Sequence, residues 1–306
     1  MTFHFAPVQG HTDAAYRHFH AENYGSHTDY YTPFIRLEKG TLRKRDLNDF
    51  TSELNIGTTL VPQIIFRDSE ELTSLVKLLK QNGASEIDLN MGCPFPLQTG
   101  HGRGAATIAN PTLANAVEMT VNENPDIKFS LKMRLGFAEP DEWRSLISHL
   151  NNTSLTHIAV HPRVAKQQYG GDLFLDKFEE LLKESQNPVI FNGEIHTPED
   201  ISIVIDKFPG IAGVMIGRGL LGRPSLVAEY LSGKEWDKEE RIQRMLTFHR
   251  QLLSHYTSTL CGDSQIISKI KPFWEYAEEE IGRKPYKLIK KATNIAKYHS
   301  AVASID

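Results

Sequence analysis

Short apolar, β-rich runs recur at nearly even spacing through the first 220 residues of the chain. Several are continuous apolar stretches rather than strict alternations, which is typical of parallel strands covered on both faces. They lie at 3–8, 29–35, 58–66, 86–92, 127–136, 156–163, 188–194 and 213–219. The pattern therefore predicts eight strands.

Segments with helical periodicity separate these runs. The segment 69–83 carries one apolar stripe and begins at Ser69, a residue suited to cap a helix. Similar segments lie at 110–125, 140–151, 174–185 and 197–208. Eight strands that alternate with helices predict an α/β protein with a (β/α)8 TIM barrel. A doubly wound sheet is the alternative, and the count and even spacing favour the barrel.

The pattern changes after Leu231, where a polar stretch is followed by helical periodicity without strand-like runs. This predicts a barrel domain at 1–233 and a small all-α domain at 234–306. The second part has 13 Lys and Arg against 10 Asp and Glu, whereas the whole chain has a net charge of −4. A basic excess at one end favours a polyanionic partner. A solvated helix surface is the alternative interpretation.

The composition indicates a cytoplasmic protein. The two cysteines, Cys93 and Cys261, give no disulfide framework, which favours a reducing compartment. The first residues lack a basic region followed by an apolar run, and no stretch reaches the roughly 20 apolar residues of a membrane span. We expect a monomer without a membrane contact or a bound metal.

Polar and glycine residues close most of the predicted strands. In a barrel, catalysis takes place at these carboxyl ends, and buried polar groups without partners are costly there. Gly217 and Arg218 follow the last strand, and Asn192 with Gly193 follows the one before. Barrels commonly bind phosphate with backbone N–H groups at this place. We therefore predict a phosphate site, although Gly-Arg-Gly by itself is also a tight-turn signal.

Three further strand-end residues favour a flavin. Lys132 and His161 would stabilise the negative charge of a reduced flavin, and Gln63 can both donate to and accept from its pyrimidine edge. Two alternatives stay open at this point. Lys132 could pair with Asp88, and His161 could be a hydrogen-bonded core histidine.

Cys93 stands between Gly92 and Pro94, directly after a predicted strand and before a glycine-rich loop. A thiol with a reference pKa of about 8.5 is mostly protonated at neutral pH. It can therefore act as a general acid. An inert buried cysteine is the alternative, and the place at a strand's carboxyl end favours the chemical role.

Several motifs together resemble the successive signatures of tRNA-dihydrouridine synthases. These are APVQGHTDAAYR, VPQIIF, EIDLNMGCP with the glycine-rich GHGRGAA, SLKMRLG, VHPR, FNGEI and MIGRGLLGRPSL, which come in the family's order. The C-terminal KIKPFWEY resembles the start of the family's tRNA-binding helices, so the resemblance spans essentially the whole chain. The resemblance implies FMN, NADPH as the reductant, and reduction of the C5–C6 bond of a specific uridine in tRNA. It also implies that hydride passes from the flavin to C6 and that Cys93 protonates C5.

The resemblance also implies the residues that bind FMN. Together with the phosphate-site argument it gives Pro7, Val8, Gln63, Lys132, His161, Asn192, Gly193, Glu194, Gly217 and Arg218. One departure follows Cys93: the family often has a lysine in this loop, whereas this chain reads Pro94-Phe95-Pro96-Leu97.

A uracil in folded tRNA must be turned out to reach a flavin inside a barrel, and exposed aromatic and basic residues would hold it. The barrel candidates are Tyr31, Phe34, Arg36 and Phe95. The helical candidates for phosphate contacts are Lys269, Lys271, Arg283, Lys284, Lys287, Lys290 and Lys291, for which a solvated helix face is the alternative.

Two other functions fit parts of this pattern. A flavin oxidoreductase of a small molecule, such as dihydroorotate dehydrogenase, would explain the strand-end residues but not the basic helical part. A non-catalytic RNA-binding protein would explain the helical part but leave the strand-end residues without a role.

Overall fold

The computed structural model describes residues 1–305, and its centre is a closed parallel barrel. The strands of this barrel are β1 Thr2–Phe5, β2 Asp29–Tyr31, β3 Leu60–Val61, β4 Gln63–Ile64, β5 Glu86–Met91, β6 Lys128–Gly136, β7 Ile158–Val164, β8 Val189–Phe191 and β9 Gly213–Ile216. Their order in the sheet is β3-β2-β1-β9-β8-β7-β6-β5-β4. A separate antiparallel pair, Leu37–Glu38 with Thr41–Leu42, lies outside the barrel sheet. The predicted TIM-barrel class is confirmed, and each of the eight predicted runs contains strand residues.

The third predicted strand is divided in two at Pro62. Proline has no backbone N–H and cannot continue a central strand's hydrogen-bond ladder. The half before it, β3, pairs with β2, and the half after it, β4, pairs with β5. The carbonyl of Pro62 still accepts the N–H of Asp88 at 3.0 Å. The break therefore changes the number of strand segments and leaves the barrel closed.

Helices surround the barrel and then continue alone to the end of the chain. Their bounds are α1 Ala14–Tyr24, α2 Lys44–Phe50, α3 Ser69–Gln81, α4 Pro96–Thr99, α5 Pro111–Glu123, α6 Trp143–Leu150, α7 Leu175–Glu184, α8 Pro198–Lys207, α9 Arg218–Gly222, α10 Leu226–Ser232, α11 Lys238–Thr259, α12 Asp263–Ile270, α13 Glu278–Ile281, α14 Arg283–Lys291 and α15 Ile295–Val302. The five predicted helices are present. The cap of α3 is Asp68 rather than Ser69, since the Asp68 carboxylate accepts the Glu71 N–H at 2.8 Å.

The C-terminal helices pack against the barrel through an aromatic core. The ring of Phe248 on α11 lies 4.9 Å from Tyr16 on α1 and 5.0 Å from Phe273. The all-α character from α11 onward agrees with the change of pattern in the sequence, while the division into domains at residue 233 stays a prediction. None of the helices described within residues 1–305 combines the length and apolar character that crossing a bilayer requires.

A polar cluster lies inside the barrel, next to the amino end of β7. The hydroxyl of Tyr31 is 2.9 Å from Nδ1 of His4 and 3.1 Å from Nε2 of His157. Tyr31 is only 1% exposed, so its predicted contact with RNA is wrong: the β2 register turns the ring into the barrel. Burial, with a smaller effect of His157, lowers the pKa of His4 to about 3, and burial lowers that of His157 to about 4.

Because His4 and His157 are buried and neutral, we expect the free energy of unfolding to fall in acid. Each is neutral when folded but titrates near 6.5 when unfolded. The stability is therefore complete above that pH and falls as the pH drops toward the folded values, by up to about 1.4 kcal/mol per pH unit for each histidine. Urea unfolding at pH 7 and 4.5 measures this. His157→Gln should lose less stability over that interval than the unchanged protein, and an equal loss in both would contradict the assignment.

Candidate active site

A cavity of about 290 Å³ opens at the carboxyl ends of the barrel strands. This volume is at the low end of the range for small-molecule sites. The predicted residues that line it are Pro7, Val8, Gln63, Cys93, Lys132, His161, Asn192, Gly193, Glu194, Gly217 and Arg218. The fold thus brings together all the predicted catalytic and cofactor residues, although they come from seven of the eight predicted strands and the loops that follow them. Their contacts with a cofactor stay a prediction.

A chain of buried side-chain hydrogen bonds forms the floor of the cavity. Ser130 and Gln63 each donate to the carboxylate of Asp88 at 2.7 Å, and Asn90 donates to the Gln63 carbonyl oxygen at 2.7 Å. One N–H of the Gln63 amide takes no part in these bonds. It is therefore available to a ligand, because a primary amide has two donor hydrogens.

Cys93 is positioned by the same chain. The Asn90 side-chain oxygen accepts the backbone N–H of Gly92 at 3.1 Å and that of Cys93 at 3.0 Å. Burial raises the pKa of the thiol, against the opposing effects of the Phe95 N–H and of Lys132. Cys93 is consequently protonated at neutral pH, in contrast to a cysteine prepared as a nucleophile.

Lys132 is an unpaired cation at the cavity wall. No hydrogen bond or ion pair to its ammonium is found within residues 1–305, and the Asp88 carboxylate is instead bound by Ser130 and Gln63. Burial, with Arg134 beside it, lowers the pKa of Lys132 to about 8. A half-buried ammonium without a partner is costly unless a ligand supplies an electron-rich atom. The donor set therefore fits an anionic or easily reduced cofactor.

His161 is neutral beside this cation. Burial, followed by the charges of Arg134 and Lys132, holds its pKa well below the ordinary value. The Arg134 guanidinium, whose charge acts on His161, itself donates to the Val164 carbonyl at 3.1 Å. Because the imidazole of His161 is neutral, it can donate or accept a hydrogen bond at the cavity without adding a charge.

Glu194 binds two arginines at the rim of the cavity. It pairs with Arg163 at 2.5 Å and with Arg218 at 3.0 Å. Although burial acts in the opposite direction, Arg163 and His196 hold the pKa of Glu194 below its usual value. The Glu194 carboxylate thus fixes the direction of the Arg218 side chain. The backbone φ of Glu194 is +42°, which shows how tightly the chain turns there.

Sequence reasoning missed an aromatic group at the cavity mouth. Tyr169 is 44% exposed, its ring centroid lies 4.3 Å from the Arg218 guanidinium, and it is 6.4 Å from the ring of Phe95. Tyr276 reaches the same cavity from the helical part. Neither residue lies in a periodic pattern, and each is brought to the mouth by a loop. For Tyr169 the sequence contained no signal, and Tyr276 lies in the KIKPFWEY stretch that carries part of the family resemblance.

The predicted RNA contacts differ in their surroundings. Lys269 pairs with Asp13 at 2.5 Å, and the Lys271 ammonium donates to the Lys290 carbonyl at 2.7 Å. Both ammonium groups therefore have partners within the protein, and their contacts with RNA phosphates stay a prediction. Arg283 and Lys287 are exposed on α14, and the partly exposed residues Phe34, Arg36 and Phe95 stand on the barrel loops.

The fold and this cavity define an enzyme of the TIM-barrel class with a protonated thiol and an unpaired cation at one site. A family model described as "Dihydrouridine synthase (Dus)" matches residues 4–291. The chain belongs to the dihydrouridine synthase family, whose members are flavin-dependent oxidoreductases. The chain is therefore a flavin-dependent enzyme.

Similar proteins agree with this assignment. A "Probable tRNA-dihydrouridine synthase" of Treponema pallidum is 27% identical over 294 residues, which cover 91% of this chain and 85% of that protein. The "tRNA-dihydrouridine synthase B" of Shewanella oneidensis is 31% identical over 169 residues, 55% of this chain and 52% of that protein. Among solved structures, morphinone reductase has a TM-score of 0.53 at 10% identity and covers 77% of this chain and 87% of that chain, which supports the fold.

Lys132 provides a test of flavin binding that does not depend on turnover. Its pKa of about 8 predicts that the affinity of the flavin-free protein for FMN falls by about tenfold between pH 7 and 9, as the ammonium loses its proton. Lys132→Met should bind more weakly and lose this pH dependence in a fluorescence titration. Lys128→Met, an exposed lysine on the same strand, is the matched control. Retained pH dependence in Lys132→Met would contradict the role.

Proposed function

We propose that this chain is a tRNA-dihydrouridine synthase that uses FMN and NADPH to reduce the C5–C6 bond of a uridine in tRNA, with Cys93 as the general acid. The observation that carries the proposal is the protonated Cys93 thiol beside the unpaired Lys132 in a cavity of this family. The names of the similar proteins refer to the same activity on tRNA.

Cys93 is suited to deliver a proton to carbon C5 of the uracil. Its S–H bond breaks as a C–H bond forms, and a thiolate remains. The positive charges of Lys132 and Arg134 favour that thiolate, because both act to lower the thiol pKa against the effect of burial. When bound, the reduced flavin supplies the hydride for the other carbon.

The remaining residues fit the two ends of FMN. Arg218 is held by Glu194 beside Gly193 and Gly217, which line the cavity and carry no side chain of their own, and this group suits a phosphate. Lys132 and the free N–H of Gln63 suit the pyrimidine edge of the ring system. A phosphate-bearing flavin therefore agrees with the charge distribution along the cavity.

RNA would reach the cavity with its uridine turned out of the stack. The exposed rings of Phe95 and Tyr169 at the mouth are suited to stack on an unpaired base. Arg283 and Lys287 on α14 are exposed cations suited to the phosphates. A flavin enzyme for a small molecule is the second candidate, and it gives no role to this basic helix.

The Cys93→Ala variant tests the proton-donating step separately from flavin binding and flavin reduction. The variant should bind FMN and be reduced by NADPH as before, because the thiol takes no part in either step. Its reduction of uridine should fall by about 100-fold or more, in the range for loss of a general acid. The measurement is reoxidation of NADPH-reduced enzyme by tRNA that lacks dihydrouridine.

The matched control is Cys261→Ala, which removes the exposed cysteine and should react at the normal rate. If unmodified tRNA does not accelerate reoxidation of the unchanged enzyme, the proposed substrate is wrong. If tRNA accelerates it equally in Cys93→Ala, the substrate stands and the proton donor is another group.

Arg283→Gln combined with Lys287→Gln tests the RNA face. Loss of two phosphate contacts should weaken tRNA binding and lower the slope of log affinity against log salt by about two. Filter binding from 50 to 300 mM salt, the range over which such contacts act, gives that slope. Lys183→Gln with Lys207→Gln removes the same charge from exposed positions on the barrel helices and should leave it unchanged. Equal slopes in both pairs would place the RNA elsewhere.

A further inference from the structure

The loop that follows Cys93 leaves this residue and returns to it. The Ala105 N–H donates to the Cys93 carbonyl at 3.0 Å. A Cβ atom added to Gly104 would lie 2.6 Å from that carbonyl oxygen and 2.8 Å from the Cys93 Cβ atom, and the Gly104 φ is +59°. Only glycine fits such an approach. The backbone at Cys93 is therefore packed directly against the end of its own loop.

Arg103, the residue before this contact, is bound in a buried ion pair. Its guanidinium donates to the two carboxylate oxygens of Glu71 at 2.6 and 3.2 Å, and both residues are 7% exposed. Glu71 also accepts the Arg67 N–H at 2.9 Å, at the start of α3. Because the carboxylate is fixed by the helix terminus, Arg103 is tied to a rigid element.

The middle of the loop is the short helix α4, whose backbone hydrogen bonds lie within the loop itself. Leu97 is 73% exposed and Phe95 is 49% exposed, while Gln98 is buried. The bonds that tie the loop to β5 and α3 lie at its two ends, at Cys93 and at Arg103. A forked, two-bond contact of arginine with carboxylate fixes direction as well as distance. Burying such a pair contributes little net stability. Its main effect is therefore to fix the position of the loop end at Arg103.

Both ties to Cys93 originate in one strand and the helix that follows it. Gln63 on β4 binds Asn90, whose side chain accepts the Cys93 N–H, and Glu71 on α3 binds Arg103. The β4–α3 unit therefore holds both ends of the loop, the Cys93 end through Gln63 and Asn90 and the Arg103 end through Glu71.

We propose that Arg103, through Glu71, is a positioning residue that holds the Cys93 thiol at the cavity. The inference rests on the proposed role of Cys93 as the acid, but its first test does not require turnover. The test is the rate at which iodoacetamide alkylates Cys93, measured by peptide mass in a Cys261→Ser background so that one thiol is observed.

Arg103→Met should release the loop and raise the alkylation rate of Cys93 by about tenfold or more, as expected when a buried pair that restrains local opening is broken. Uridine reduction should fall by about 100-fold, the size of effect that a 1 Å misplacement of a reacting group can cause. Reduction of the bound flavin by NADPH should remain unchanged. An unchanged alkylation rate would overturn the proposal.

Two further variants address folding and geometry. Glu71→Gln keeps an acceptor for the Arg67 N–H and removes only the charge, and it should raise the alkylation rate as well. Arg103→Lys keeps the charge without the fork and should give an intermediate rate. Arg43→Met breaks the 2.6 Å ion pair with buried Asp46 at the start of α2, away from the Cys93 loop, and should not change the rate. A rate raised equally by Arg43→Met would reduce the effect to general loosening and overturn the proposal.

The two proposals fail in different ways. Faster alkylation of Arg103→Met with undiminished uridine reduction would support Arg103 as a positioning residue and overturn Cys93 as the acid. Slower uridine reduction with unchanged alkylation would overturn the positioning role of Arg103 and leave Cys93 as the acid.

Discussion

The active end of this barrel depends on one buried carboxylate. Asp88 lies between β4 and β6, accepts hydrogen bonds from Gln63 and Ser130, and so fixes the amide that in turn fixes Asn90. Because Asn90 then accepts the Cys93 N–H, the backbone that carries the thiol is fixed by residues of β5 and of its two neighbours in the sheet, β4 and β6. A buried polar chain of this kind is costly if one member is lost, so its members must be present together.

This arrangement also leaves the Lys132 ammonium free to act on the site. With Asp88 bound by neutral donors, Lys132 has no carboxylate partner in the part of the chain that the structure describes, and its charge acts on the cavity instead. The same charge lowers the pKa of His161 and opposes the effect of burial on Cys93. Burial keeps the His161 imidazole neutral and the Cys93 thiol protonated, and the contacts of Asp88 leave the Lys132 ammonium unpaired among the described residues. Together these groups suit a cofactor that gains electrons next to a substrate that gains a proton.

Much of this could be predicted from the sequence, since strands covered on both faces and helices with one apolar stripe are local patterns. Strand-end residues such as Gln63, Lys132 and Gly217 could be predicted because barrel topology brings all carboxyl ends to one face. The partner of Asp88 could not, because the choice between Lys132 and Gln63 depends on the register between neighbouring strands. Tyr31 was misassigned for a related reason: whether a residue at a strand end points inward or outward changes with a shift of one position. Loop residues such as Tyr169 carry no periodicity at all.

The packing of the helical part restricts how RNA can approach. Phe248 lies between Tyr16 of the barrel and Phe273 of the helices, and Tyr276 continues from that core to the cavity itself. An apolar core shared in this way opposes rotation of one part against the other, since close-packed side chains have few alternative arrangements. The basic surface of α14 therefore keeps a fixed distance from Cys93. On the proposed function, the uridine that is reduced would be the one whose distance from the bound phosphates matches that span. The choice of uridine would then follow from the fixed arrangement of α14 and the cavity. Base contacts at the cavity mouth would act only on the nucleotide that reaches it.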